Sequence, residues 1–347
     1  MKAAIYESFS TRPLMQEVPD PELVDDGVVI QIMGSGVCRS DWHAWGGHDP
    51  VVKLPHVPGH ELAGIVESVG RDVQKWRLGD RVTVPFVVAC GRCSQCASGN
   101  QQVCDRQFQP GFTHWGAFAQ YVAIHHADVN LVRLAESMTF ATAASLGCRF
   151  VTAYRAVVDQ SNLKPGQWIA VFGCGGVGLS AIMIARARGG RVIAVDIDEG
   201  SLALAQKLGA ECTINASKDV DAIKEVHDIS EGGAHVSIDA LGITDTCVNS
   251  VRSLRKRGRH IQIGWMLGNQ STPPIPMDLV MGNELEIVGS HGMAAYRYPE
   301  MMQLIECGEL NPEALIGQEI SLDQSADALA DFETFNKTGI TVITSFD

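Results

Sequence analysis

A chain of 347 residues exceeds the range over which one hydrophobic core keeps growing, so two domains are expected. With 46% hydrophobic and 19% charged residues and 35 glycines, the composition is that of a compact α/β protein and excludes a disordered or fibrous chain. A formal net charge of -13, without a stripe of clustered Lys and Arg, excludes a nucleic-acid footprint. The first ten residues lack a secretory layout and no apolar run is long enough to span a bilayer, so a soluble cytoplasmic enzyme is expected. Ten cysteines in a reducing compartment read as metal ligands plus buried thiols, not as a disulfide framework.

In chain order, residues 28–33 and 62–69 are short alternating runs punctuated by Gly, Pro and Asp, the pattern of a loop-rich, mostly antiparallel β domain. Its loops carry Cys38 within Gly36-Val37-Cys38-Arg39-Ser40-Asp41-Trp42-His43, and then Gly59-His60-Glu61. A lone Cys or His is more often a packed core residue than a ligand, so neither segment decides anything alone. Cys90, Cys93, Cys96 and Cys104 follow at C-x2-C-x2-C-x7-C spacing in a lobe over about residues 88–106. Four thiolates so spaced can converge on one Zn²⁺ with no open position; an iron–sulfur cluster is the competing reading.

From Gln167 onward the texture changes to apolar strands alternating with helical stretches, the signature of βαβ units and a parallel sheet. Strands are expected at 168–172, 191–196, 235–241, 261–264 and 285–289, with helices at 177–188 and 202–208. The basic run 252–259 reads as a solvated helix end just before a strand.

Gly173-Cys174-Gly175-Gly176-Val177-Gly178 comes directly after the strand at 168–172 and opens a helix, the context a dinucleotide loop requires. Gly173 permits the tight turn, Gly175 the approach of a pyrophosphate to backbone amides, and Gly178 close packing of helix on strand. Asp196 ends the next strand, where a carboxylate would accept hydrogen bonds from an adenosine ribose and repel a 2′-phosphate. NAD is therefore favoured over NADP. A glycine-rich turn in an unrelated α/β protein is the alternative.

Taken together and in order, the Cys38 segment, Gly59-His60-Glu61, the four-cysteine lobe, Leu146-Gly147-Cys148, the glycine-rich loop and Asp196 resemble the zinc-dependent medium-chain alcohol dehydrogenases, in particular their bacterial and yeast-like branch. The similarity spans nearly the whole chain. It implies a GroES-like, mostly antiparallel catalytic domain over residues 1–149 and 292–347, and a Rossmann doubly wound parallel sheet over 150–291. It implies two zinc ions per subunit: a structural one in the lobe, and a catalytic one on Cys38, His60 and Cys148 with an open fourth position. Without the resemblance Cys148 reads as a buried thiol. Glu61 corresponds to a carboxylate behind the zinc or an alternate ligand, and Asp41 to one that orients His60.

The resemblance further implies that Ser40 takes the alcohol proton and that His43 carries it to solvent, though Ser40 as a helix cap and His43 as a surface ring are the plainer readings. Arg39 corresponds to a pyrophosphate contact, with an exposed surface arginine as the alternative. Trp42, Trp45 and Trp115 are expected as apolar walls for an uncharged alcohol or aldehyde, although an indole is more often a packing anchor. Cys148 favours an alcohol dehydrogenase over the polyol branch, where a glutamate often serves. A homo-oligomer is implied, a tetramer before a dimer. Two departures stand out. Relatives often carry a pyrophosphate-binding arginine where this chain reads Gly339-Ile340-Thr341-Val342, and a lysine shortly after the Asp196 position, where it reads Gly200-Ser201.

Overall fold

The computed structural model describes residues 1–217, 220–335 and 338–347. The chain forms two compact units, one of Met1–Val151, Gly292–Gln303 and Ile316–Asp347, the other of Thr152–His291 and Leu304–Leu315. The segment Leu304–Leu315, expected with the rest of the tail in the first unit, belongs to the second. Its 3-10 turn Pro312–Leu315 packs on the helix Gly176–Ala187 and buries Pro312 and Leu315 there, which is why the tail does not run in one unit.

The first unit is built on a seven-stranded sheet whose longest members are Val28–Val37 and Glu61–Val69. Neighbours pair antiparallel throughout, except for Ile316–Ser321 beside Ile340–Ser345. Inward positions such as Ile30, Ile32, Leu62, Val66, Val82 and Ile124 close a dry core on one face. A second core gathers Ala3, Ile5, Val37, Val57, Phe118 and Ile343. Between them Val28–Val37 is pinned on both sides, and the segments at its end and at the start of Glu61–Val69 become fixed platforms for side chains.

In the second unit six strands run parallel, in the spatial order Cys212–Asn215, Arg191–Asp196, Trp168–Phe172, Ala234–Asp239, Leu254–Gln262, Glu286–Gly289. The first strand of the unit lies in the middle and the order reverses beside it, the doubly wound topology that leaves a crevice at the carboxyl ends of the strands. Trp168–Phe172 is buried at every position because helices cover both faces of a parallel sheet, hence its unbroken apolar run.

One expectation is corrected here. The helix Thr244–Arg252 ends where the basic run begins, and Leu254–Gln262 is already strand, so most of the run is extended. Arg252 at the helix end, Lys256 and Arg257 are exposed as expected, whereas the other two cations are partly buried on the strand. Arg255 lies 2.9 Å from His235 Nε2, and Arg259 donates to the carbonyl of Gln160 and to Glu286.

Candidate active site

Three segments of the first unit bring Cys38, His60, Glu61 and Cys148 together, so that one ligand atom from each lies within 4.8 Å of the others. Cys38 caps the helix Arg39–Trp45 at the end of Val28–Val37. His60 and Glu61 enter the next strand after Gly59, whose φ of +104 is a backbone conformation that only glycine adopts without strain. Cys148 sits in a π-helical turn, Leu146–Phe150, that continues the helix Phe140–Ser145. Such wide turns re-aim side chains within a helix and recur at functional sites. Cys38, His60 and Glu61 are buried, whereas Cys148 is partly accessible.

Asp41 organises this cluster from a position with no solvent exposure. Its Oδ1 accepts from the Gly59 amide at 3.0 Å and lies 2.7 Å from His60 Nδ1, while Oδ2 accepts from the Cys38 amide at 3.1 Å. One carboxylate thus fixes the ring of His60 and the backbone of both donor segments. With Nδ1 committed to Asp41, Nε2 is the ring nitrogen left for another partner, and that buried atom has no hydrogen-bond partner among the described residues. The thiols are tied to each other as well. Hydrogen bonding from Cys148 holds the Cys38 thiol well below its usual range, while that same contact together with burial holds Cys148 well above. A shared negative charge beside an unpartnered imidazole nitrogen fits a Zn²⁺ ion, whose borderline softness suits two thiolates and a histidine. Phe86 and Phe112 flank the His60 ring, with centroids at 6.1 and 5.0 Å, and keep this side apolar.

Two residues that sequence reasoning passed over also border the cluster. Arg149 is buried and binds Glu61 through its backbone amide, its Nε and a terminal guanidinium nitrogen. Tyr298 is buried with its hydroxyl unpartnered among the described residues. Its pKa is pushed up by burial and then by the negative charges of Cys148 and Glu61. The arginine directly after Cys148 was the available signal for the first; nothing in the sequence distinguished the second.

The helix Arg39–Trp45 presents the remaining residues of its segment. Ser40 is half-buried in the first turn and Arg39 is exposed, its guanidinium 6.0 Å from the Trp42 ring and 5.4 Å from that of Phe332. His43 Nδ1 lies 3.1 Å from His48 Nδ1, so one ring donates to the other. Burial, then the neighbouring His48 and Arg39, hold His43 down at about 4, neutral at physiological pH. Trp42 packs edge-on against both histidines. Trp45 is instead a core anchor with Tyr6, Val52 and Phe112, its indole donating to the Thr11 carbonyl. Trp115 lies against the second core and donates to the Pro55 carbonyl. Both indole N–H groups are satisfied by backbone carbonyls, the mark of a packing role.

Cys90, Cys93, Cys96 and Cys104 form a second cluster with the same 4.8 Å spread, all four buried and none in a disulfide. Cys93 Sγ lies 3.4 Å from that of Cys96 and 3.7 Å from that of Cys104, and the amides of Cys90 and Arg106 donate to Cys104 Sγ at 3.3 Å. Backbone N–H bonds to sulfur stabilise thiolates, and contacts of this kind push Cys90 down to about 6. Among the described residues no carboxylate or imidazole enters the cluster, so the donor set fits a closed tetrahedral zinc site.

In the second unit, Gly173 turns the chain with φ of +91, and a Cβ on Gly178 would fall 1.8 Å from the Gly173 carbonyl oxygen. Around Gly175 there is open space where a side chain would otherwise stand, at the N-cap of the helix Gly176–Ala187. Gly176 and Val177 form its first turn, whose free amides suit an anion. Asp196 ends its strand and accepts from the amides of Cys174, Ile197 and Asp198, which fixes the carboxylate beside the loop.

Comparison with known proteins bears on the fold and the family. Residues 24–136 match the alcohol dehydrogenase GroES-like domain, and residues 176–307 the zinc-binding dehydrogenase domain. An alcohol dehydrogenase of Geobacillus stearothermophilus is 35% identical over 292 residues, 84% of either chain. A sorbitol dehydrogenase of Bacillus subtilis is 32% identical over 95% of this chain and 92% of its own. Among solved structures, alcohol dehydrogenase TADH from Thermus sp. ATN1 superposes with a TM-score of 0.91 at 28% identity, covering 99% of this chain and 100% of that one. No helix among the described residues is long and apolar enough to cross a membrane.

Proposed function

This chain belongs to the zinc-dependent medium-chain alcohol dehydrogenases, and on that footing we propose that it interconverts a primary or secondary alcohol and its aldehyde or ketone by hydride transfer to NAD. The observation that carries the reading is the unpartnered, buried Nε2 of His60 facing two thiols. Cys38, His60 and Cys148 would hold a zinc ion there, which supplies Lewis acidity that favours loss of the alcohol proton. Asp41 keeps His60 in the tautomer that presents Nε2. Phe86 and Phe112 exclude water from the ring's flanks.

Ser40 accepts the alcohol proton and His43 passes it outward. The contact with exposed His48 gives the His43 ring a partner at the surface. Arg39 is read as a pyrophosphate contact, and Gly173, Gly175, Gly176, Val177 and Gly178 as the cradle of the dinucleotide. Asp196 favours NAD, because a 2′-phosphate beside its carboxylate would meet like charge with no cation in Ile197-Asp198-Glu199 to offset it. Of the three tryptophans proposed for the substrate, Trp42 alone has surroundings that suit the role. Cys148 at the third donor position favours an alcohol over a polyol, and Glu61, the carboxylate grouped with the donors, is taken up by Arg149. The assembly is read as a cytoplasmic homotetramer with two zinc ions per subunit, which light scattering and metal analysis measure.

A panel of alcohols and polyols, assayed with NAD and with NADP before and after chelation, tests the proposal through NADH absorbance. Zinc-dependent turnover of simple alcohols with NAD is expected. No turnover on any alcohol with zinc fully loaded would overturn it.

A further inference from the structure

The Glu61–Arg149 pair touches every segment that brings a metal donor. Glu61 follows His60 directly and Arg149 follows Cys148 directly, so their pairing joins the second donor segment to the third. The first segment is shaped around the pair as well. Gly36, two residues before Cys38, faces Glu61 across the strands, and a Cβ there would lie 2.1 Å from Glu61 Oε2 and 2.8 Å from a guanidinium nitrogen of Arg149. Glu61 Oε1 accepts from the Arg149 amide and from Nε, each at 3.0 Å, and Oε2 accepts from the terminal nitrogen.

An unrestrained Glu61 would be a hazard to the chemistry. It has an oxygen within 4.8 Å of the donor atoms of Cys38, His60 and Cys148, near enough for a modest side-chain movement to make it a fourth ligand. A carboxylate there would occupy the position an alcohol needs. Two thiolates balance Zn²⁺ and Arg149 balances Glu61, so loss of the guanidinium would leave one more buried carboxylate without a counter-charge beside that of Asp41. Charge-assisted bonds to both oxygens, one from the rigid backbone, set the carboxylate in a single orientation.

We propose that Arg149 is a positioning residue that holds the Glu61 carboxylate off the metal, so that zinc on Cys38, His60 and Cys148 keeps its fourth position for substrate. This rests on the metal-site reading above. The test replaces that zinc with Co²⁺, leaving zinc in the four-cysteine lobe, and records the visible spectrum together with titration by imidazole, a small fourth-position ligand. In Arg149→Gln, entry of Glu61 as the fourth ligand should shift the d–d bands while they keep tetrahedral intensity, and lower imidazole affinity at least tenfold, with KM for alcohol rising more than kcat falls. Adding Glu61→Gln to that variant should restore the wild-type spectrum. Arg149→Lys, which offers a point charge in place of a fork, should fall between the two and carries the test if the glutamine variant does not fold. A wild-type spectrum and imidazole affinity in these single variants would overturn the proposal. Wild-type protein that takes up no cobalt at these donors would instead overturn the metal reading itself.

Discussion

The four-cysteine lobe draws all its donors from between Cys90 and Cys104, whereas the other centre collects its donors from positions as far apart as Cys38 and Cys148. The lobe is chemically uniform: four thiols, a short helix Ser94–Ala97, and turns at Gly91 and Gly99 with φ of +72 and +83. Around Cys38 the donors are mixed, and charged side chains fix their surroundings, Asp41 holding His60 and Arg149 the neighbouring Glu61. A local set of like ligands fills every coordination position and contributes to folding. A dispersed set of three can be left one short, and the surrounding polar network is what keeps that position available. The comparison teaches that the role of each centre follows from how its donors are distributed along the chain, more than from the metal the two are proposed to share.

Substitutions that separate the two centres test this contrast most sharply. Cys38→Ser should lower turnover by about 10³-fold or more, since several kcal/mol of transition-state stabilisation go with the metal, while NAD binding in the second unit is largely kept. Fluorescence titration with NADH checks the second half, and joint loss of turnover and binding would count against the division of labour. His43→Gln should cost about 10²-fold at neutral pH, shrinking as rising hydroxide replaces the relay. Because His43 is held neutral down to about 4, its protonation should leave no limb in the wild-type kcat/KM profile between pH 5 and 8. A limb near the usual histidine value that vanishes in His43→Gln would contradict that.

Asp41→Asn should weaken zinc affinity at the Cys38 centre by about tenfold, measured in metal buffers, and leave the lobe untouched. Cys93→Ser is the mirror image. It should lower Tm by about 5 °C or more, with turnover per folded molecule little changed. An unchanged Tm would remove the distinction between a centre that supports folding and one that supports chemistry.

Legibility in the sequence follows the same division. The lobe and the glycine-rich loop could be read directly, because each is a local spacing whose geometry is set within a few turns of chain. Asp196 could be placed because strand and loop alternate regularly in a doubly wound sheet. Cys148 came only from family resemblance, since its meeting with Cys38 is created by the sheet and by a π-helical turn that no local pattern announces. Arg149 escaped notice for a related reason: its partner Glu61 is 88 positions away, and an arginine inside an apolar stretch carries no mark of where its charge is met. Trp45 shows the reverse failure. An indole near a candidate site suits a substrate wall and a core equally well, and only the bond to the Thr11 carbonyl decides for the core. In the run from Arg252 to Arg259 the exposure of Arg252, Lys256 and Arg257 follows from their charge, but the helix ends at Arg252 and the strand Leu254–Gln262 takes the rest, with Arg255 and Arg259 partly buried beside His235 and Glu286.

The contrast between an open and a closed centre is tested most directly by timed chelation of the zinc-loaded protein, following zinc release, NADH formation and far-UV circular dichroism together. The first equivalent should leave early and abolish turnover with the fold intact, and the second should leave only as the fold is lost. Release of both in a single step, or turnover that survives loss of the first equivalent, would contradict the account.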